Sequence, residues 1–156
     1  MEPSKFKNVW LCDDDGDDHY VFAEALQQVQ PEANLTLFEN GSEVLQQLQH
    51  GAPDILFLDI NMPMINGLET LQHIREQSAL RDLPVIIFSV SEQKTDIAQS
   101  YRFGAILYLV KPQLYQDLVT QLKAIFELDW SLSNLLVPLN FDGVRFLPSA
   151  NADEIL

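Results

Sequence analysis

Three aspartates, a serine and a lysine stand where apolar runs of the chain stop. Asp13 and Asp14 follow "VWLC", Asp59 follows "ILFL", Ser89 follows "VIIF", and Lys111 follows "LYLV" with Pro112 behind it. A carboxylate at the mouth of an apolar run is costly unless something there uses it. Brought together, these five side chains carry a formal charge of −2. Crowded carboxylates push at least one pKa up while the site is empty, and a hard divalent cation relieves the repulsion. Mg²⁺ suits such donors, since it takes carboxylates, carbonyls, waters and phosphate oxygens in an octahedron. With Mg²⁺ bound the formal sum is zero. Turning one carboxylate into an acyl phosphate then adds roughly one negative charge, by analogy with other phosphorylated side chains. Lys111 and the metal can absorb it, and Ser89 can donate to a phosphoryl oxygen. The chemistry these groups fit is phosphoryl transfer, where positioning and charge neutralisation supply most of the catalysis.

Those residues meet only if the elements carrying them lie side by side. Five apolar runs, at 9–12, 35–38, 55–58, 84–90 and 105–110, read as buried strands. Helical spacing separates them. Val21, Phe22, Ala25, Leu26 and Val29 form the first face, entered through Asp17 and Asp18. Val44, Leu45 and Leu48 form the second, and Leu68, Leu71 and Ile74 the third, entered through Asn66-Gly67. A short fourth runs from about Gln93 to Arg102, and the last holds Leu114, Leu118, Val119, Leu122, Ile125 and Phe126. Alternating strands and helices predict a doubly wound α/β fold, with a five-stranded parallel sheet and five helices. Ligands of such sheets bind at the carboxyl ends of the strands, where all five polar residues fall.

The totals narrow the partners. The chain has 156 residues, 47% hydrophobic, and a net charge of −14, which disfavours wrapping a phosphate backbone, so no nucleic acid is expected. No run approaches the length of a membrane span, and "MEPSKFKN" lacks the apolar core of a signal peptide. Cys12 is the single cysteine, so no internal disulfide framework is expected, and the cytoplasm is the expected compartment. Residues 1–129 read as one domain. Residues 130–156 read as an extension too short for a separate output domain.

The acidic pair Asp13-Asp14, "LDINMP…G" around Asp59, Ser89 and "YLVKP" around Lys111, all in order, resemble the receiver domain of two-component response regulators, from about Lys7 to Leu128. The resemblance implies the flavodoxin-like receiver fold. It makes Asp59 the phosphoacceptor, Asp14 and Asp59 direct Mg²⁺ ligands with the Asn61 carbonyl, and Asp13 a ligand through a bound water. Lys111 would pair with the phosphoryl group, and the Lys111–Pro112 bond would be cis. Ser89 and Tyr108 would form the switch pair, the ring following the hydroxyl toward the phosphoryl group. Val90 is larger than the residue often found there. The resemblance implies a domain that catalyses its own phosphorylation and dephosphorylation at Asp59 rather than a stand-alone enzyme. The implied donor is a phosphohistidine on a sensor histidine kinase or histidine phosphotransfer protein, with a downstream protein as listener and no output domain attached.

Three other readings compete. "DDDG" looks like the first motif of haloacid dehalogenase-type phosphatases, with Asp13 as nucleophile, but no acidic pair follows Lys111. Asp13, Asp15, Asp17 and Glu24 match EF-hand positions, but Asp18 replaces the required glycine. A degenerate receiver serving only as a binding module is the third. For Asp15, Asp17 and Asp18, helix capping is the expected role. His19, His50 and His73 are expected at the surface, Gln27, Gln46, Gln72 and Gln121 on solvated helix faces, and Cys12 as a small buried hydrophobe. In the tail, Asp142-Gly143 signals a type I′ hairpin with Phe141 opposite Val144 and Leu139 opposite Phe146. With Trp130, Leu132, Leu135 and Leu136, that apolar side should rest on its own receiver or on a second copy, as a homodimer.

Overall fold

The computed structural model describes residues 6–127, 140–141 and 144–147. Five parallel strands alternate with five helices: β1 (Asn8–Cys12), α1 (Gly16–Val29), β2 (Asn34–Phe38), α2 (Gly41–Leu48), β3 (Ile55–Leu58), α3 (Gly67–Glu76), β4 (Val85–Ser89), α4 (Lys94–Arg102), β5 (Leu107–Val110) and α5 (Tyr115–Glu127). A single 3₁₀ turn, Ser78–Leu80, follows α3. Two further strands, β6 (Asn140–Phe141) and β7 (Val144–Leu147), extend the sheet to the order β2-β1-β3-β4-β5-β7-β6.

The doubly wound fold expected from the sequence is the one found. Strands buried on both faces send alternate side chains to opposite layers. In β3, Leu56 and Leu58 join Val44, Leu71, Ile74 and Ile97 on the α2–α4 side. Ile55 and Phe57 join Phe22, Leu26, Leu118 and Leu122 on the α1–α5 side. Each such side chain at full burial is worth roughly 1.5–3 kcal/mol. Helix starts are set by side chains taking up free backbone N–H groups. Asn40 accepts from Glu43 N, and Asn66 with Glu69 forms a reciprocal capping box at α3.

Several local expectations change. Asp15, not Asp17 or Asp18, is the N-cap of α1, because its carboxylate accepts from the backbone nitrogens of both. Leu114 lies before α5 and is exposed, and Val21 also faces outward. Gln121 is buried, its Nε2 donating to Val110 O at 2.9 Å, so α5 spends a polar residue on tying itself to β5. Glu24 sits within the continuous helix α1, which removes the EF-hand loop.

In the tail, β6 and β7 pair antiparallel with Asn140 opposite Arg145 and Phe141 opposite Val144. β7 pairs antiparallel with β5, Tyr108 opposite Leu147 and Leu109 opposite Phe146. The Asp142-Gly143 turn, Leu139, and Trp130, Leu132, Leu135 and Leu136 lie outside the described residues.

Arg75, near the end of α3, holds the opposite edge of the domain from the site. Its guanidinium donates to Leu80 O at 2.7 Å, Leu83 O at 2.7 Å and Gly104 O at 2.9 and 3.2 Å. Gly104 has φ 105° and lies so close that an added Cβ would stand 2.8 Å from Arg75 Nε. Only glycine meets both demands. Arg75→Met keeps the stem and strands these carbonyls, so urea unfolding should show a loss of roughly 2–3 kcal/mol. A loss too small to resolve by that measurement contradicts this role.

Candidate functional site

Backbone hydrogen bonds carry the ladders past the ends of the strands. Asp13 N donates to Phe38 O at 3.0 Å, Asp59 N to Cys12 O at 3.0 Å, and Lys111 N to Ser89 O at 2.8 Å. Each site residue is therefore fixed by the neighbouring strand rather than left to a loop. Asp13, Asp14 and Asp59 each present a carboxylate oxygen within 4.8 Å of the others. Asp13 and Asp59 are buried, and Asp14 is exposed at the mouth. Ser89 closes β4, fully buried, and its Oγ accepts from Ser91 N at 3.2 Å.

Lys111 bridges the acids. Its Nζ donates to Asp13 Oδ2 at 2.6 Å, Asp18 Oδ2 at 2.8 Å and Asp59 Oδ2 at 3.4 Å. Burial acts to lower the Lys111 pKa, but the hydrogen bonds to Asp13 and Asp18 and the charge of Asp59 override it and hold the pKa up. Burial raises the carboxyl pKa of Asp13, with Lys111 opposing. Burial also raises that of Asp59, with Lys111 opposing and the Asp13 charge adding to the rise. One ammonium does not compensate two buried carboxylates. The remaining deficit is what a divalent cation supplies, and the donors are all hard oxygens of the kind Mg²⁺ prefers.

Gly67 shows how tightly the backbone after β3 is held. Its N donates to Ile60 O at 2.9 Å, and a Cβ there would fall 2.0 Å from Asp59 O. Asn61 N approaches Asp59 Oδ1 at 3.4 Å, and Asn61 itself is exposed. Beneath the site, Cys12 Sγ lies 3.5 Å from Met62 Sδ, a small buried group with burial raising its pKa. Beside it a cleft of about 680 Å³ opens between Asp14, Asn61 and Pro63 on one side and Asp96 and Gln99 of α4 on the other.

Tyr108 is fully buried, its Oη donating to Ser91 O at 2.7 Å and its N accepted by Tyr101 Oη at 3.0 Å. Burial pushes its phenol pKa up to about 12. The ring already lies inside, beside the loop that follows Ser89.

Sequence reasoning missed two neighbours of the site. Asp18 was expected only to cap; instead it reaches Lys111. Helical side chains lean toward the helix N-terminus, so a first-turn acid of α1 points back over the strand ends. That lean is the signal that could have found it. His19 was expected at the surface, but it is half-buried with Nε2 against the Asp13 carbonyl. The Lys111–Pro112 bond is trans, as no cis bond occurs among the described residues. The two isomers differ by only about 0.5–1 kcal/mol before proline, too little for a motif alone to decide.

A doubly wound α/β sheet with an acidic cluster and Lys111 at the carboxyl ends of its strands is the arrangement of a receiver-type domain. The chain belongs to the response regulator receiver domain family, whose profile matches residues 9–123. It is 38% identical over 104 residues to the DNA-binding transcriptional regulator NtrC of Escherichia coli K12, covering 67% of this chain and 21% of that protein. It is 32% identical over 133 residues to the nitrate/nitrite response regulator NarL of the same strain, covering 83% of this chain and 61% of that protein. The chain thus spans about a fifth of NtrC and three fifths of NarL. Among solved structures, the phosphorylated cyanobacterial phytochrome response regulator RcpA superposes with TM-score 0.73 at 26% identity, over 83% of this chain and 97% of that one. Chemotaxis response regulator CheY4 of Vibrio cholerae shares the fold, with TM-score 0.68 at 23% identity over 78% of this chain and 99% of that one.

Receiver domains act in two-component signalling and bind Mg²⁺, and the Asp13, Asp14 and Asp59 cluster fits that ion. The dehalogenase-type alternative has no support. Asp13 is fully buried, with one oxygen on Lys111 and the other accepting from Asp15 N at 3.0 Å. Among the described residues no helix is long and apolar enough to cross a membrane.

The raised pKa of Asp59 means that ionising it in the metal-free fold costs stability. Asp59→Asn removes that cost and should stabilise the metal-free protein by on the order of 1 kcal/mol in urea unfolding. Adding Mg²⁺ should stabilise the parent and leave Asp59→Asn nearly unmoved. Equal Mg²⁺ stabilisation of both proteins contradicts a site that uses this carboxylate.

Proposed function

We propose that Asp59 accepts a phosphoryl group from a phosphohistidine and that the domain signals through the change this causes at Ser89 and Tyr108. The observation that carries the reading is the convergence of Asp13, Asp14 and Asp59 within 4.8 Å, with Lys111 Nζ 3.4 Å from Asp59 Oδ2. In the transfer, a carboxylate oxygen of Asp59 forms the new P–O bond as the P–N bond breaks, and the electron pair returns to the histidine ring. Asp14 and Asp59, with the Asn61 carbonyl, would hold Mg²⁺ directly, and Asp13 through water. Bound there, the ion neutralises charge on the transferring group. Lys111 pairs with the phosphoryl oxygens, and Ser89 donates to one of them.

The Ser89 end of the site is wired to Tyr108 through the loop between them. Ser89 Oγ accepts from Ser91 N, and Ser91 O accepts from Tyr108 Oη. A serine drawn toward a phosphoryl group pulls on the same loop residue that holds the ring. The donor class is a sensor histidine kinase or a phosphotransfer protein, the listener is a downstream protein, and the compartment is the cytoplasm. We further infer that residues 130–156 extend the receiver rather than form an output domain, since β7 adds to the free edge of β5.

With Mg²⁺ and acetyl phosphate, mass spectrometry should find one phosphoryl group on Asp59, lost in Asp59→Asn because an amide is no nucleophile. Labelling of Asp59→Asn at Asp13 would instead revive the phosphatase reading. Lys111→Ala should accept phosphate yet leave amide exchange across residues 89–110 unchanged, whereas the parent responds to beryllofluoride. Truncation after Leu128 tests the tail. A lower melting temperature at an unchanged number of subunits by light scattering places it on its own receiver, and loss of a dimer places it on a second copy. No change in either contradicts docking.

A further inference from the structure

Of the three carboxylates on Lys111, Asp18 is the odd one. It lies outside the group of Asp13, Asp14 and Asp59 whose oxygens converge, so a cation held by that group leaves Asp18 with Lys111 alone. The contact is short, 2.8 Å, and joins the first turn of α1 to the residue that follows β5. The Lys111 side chain is 9% exposed and that of Asp18 38%, so the pair is only partly screened.

Asp18 also changes the charge count. Four carboxylates against one ammonium leave the site at −3, where Asp13, Asp14, Asp59 and Lys111 alone make −2. A divalent cation brings it to −1, and an acyl phosphate returns it to roughly −2. The phosphorylated site therefore lacks positive charge, and the phosphoryl group and Asp18 draw on the same ammonium. We propose that Asp18 is a positioning residue that holds Lys111 as its own counter-ion, and so opposes retention of the phosphoryl group on Asp59 while favouring the cation. This rests on the receiver reading. A merely structural acid at a helix start would affect cation and phosphoryl binding in the same direction. A competitor for Lys111 affects them in opposite directions.

The test uses the full chain, calorimetry with Mg²⁺ alone, and then beryllofluoride titration at saturating Mg²⁺. Asp18→Asn keeps size and removes charge, and Asp18→Ser serves if the amide fails to fold. Asp17→Asn removes the same charge from the same turn, and Asp17 is bonded to Asp15 through its backbone nitrogen. Asp18→Asn should weaken Mg²⁺ binding roughly threefold and tighten beryllofluoride binding roughly tenfold, with both differences shrinking at high salt. Asp17→Asn should change each by much less, and Asp18→Glu should move both back toward the parent. Beryllofluoride binding that is unchanged or weaker in Asp18→Asn overturns the proposal, as does an equal effect from Asp17→Asn. If the parent itself binds no beryllofluoride, the receiver reading fails before Asp18 is in question.

Discussion

Parallel strand register is the constraint on which the rest depends. In this sheet, neighbouring strands are joined residue to residue, Cys12 beside Leu58 and Phe38, and Ser89 beside Val110. The ladders run one residue further, into Asp13, Asp59 and Lys111. Because alternate residues of a strand face opposite layers, a slip of one position would send every side chain to the wrong face. Because β3 is apolar on both faces, what opposes that slip is shape: Leu56 and Leu58 fit one layer and Ile55 and Phe57 the other. The packing energy of Leu56, Phe57 and Leu58 is therefore what holds Asp59 among its partners, and the site inherits its rigidity from the core.

That rigidity creates an electrostatic debt. Carboxylates forced together and buried are uncomfortable, and Lys111 relieves only part of the strain. The discomfort explains why such a site suits a hard cation. It also gives a reason for the small, close supports around it. Gly67 lets α3 start against the backbone of Asp59, and Cys12 and Met62 fill the space below without adding charge. Tyr108 connects outward: its backbone belongs to β5, its hydroxyl reaches the loop after Ser89, and β7 pairs along the same strand. The chemistry at one end of the sheet and the added edge at the other thus share a single strand.

Much of this was legible in the sequence. The apolar runs, their spacing and the helical stripes between them determined the doubly wound fold. That fold made the carboxyl ends of the strands coincide, so Asp13, Asp14, Asp59, Ser89 and Lys111 could be named together. These are consequences of local periodicity, which a sequence carries directly. Capping was partly legible: Asn66 and Glu69 stand at the spacing of a capping box, whereas in "DDDGDD" several acids satisfy the same pattern and only geometry selects Asp15.

What the tertiary structure alone decided are the contacts between elements distant in the chain. Asp18 lies 93 positions from Lys111, and no periodicity links a helix's first turn to the end of the last parallel strand. The burial of Gln121, the shelter of His19 and the three carbonyls on Arg75 depend likewise on which element packs on which. The pairing of β7 with β5 is of the same kind, since an edge strand records its own alternation but not its neighbour. Sequence specifies each element through interactions a few residues long. The counter-ion of a buried charge is chosen by packing, which only the folded chain defines.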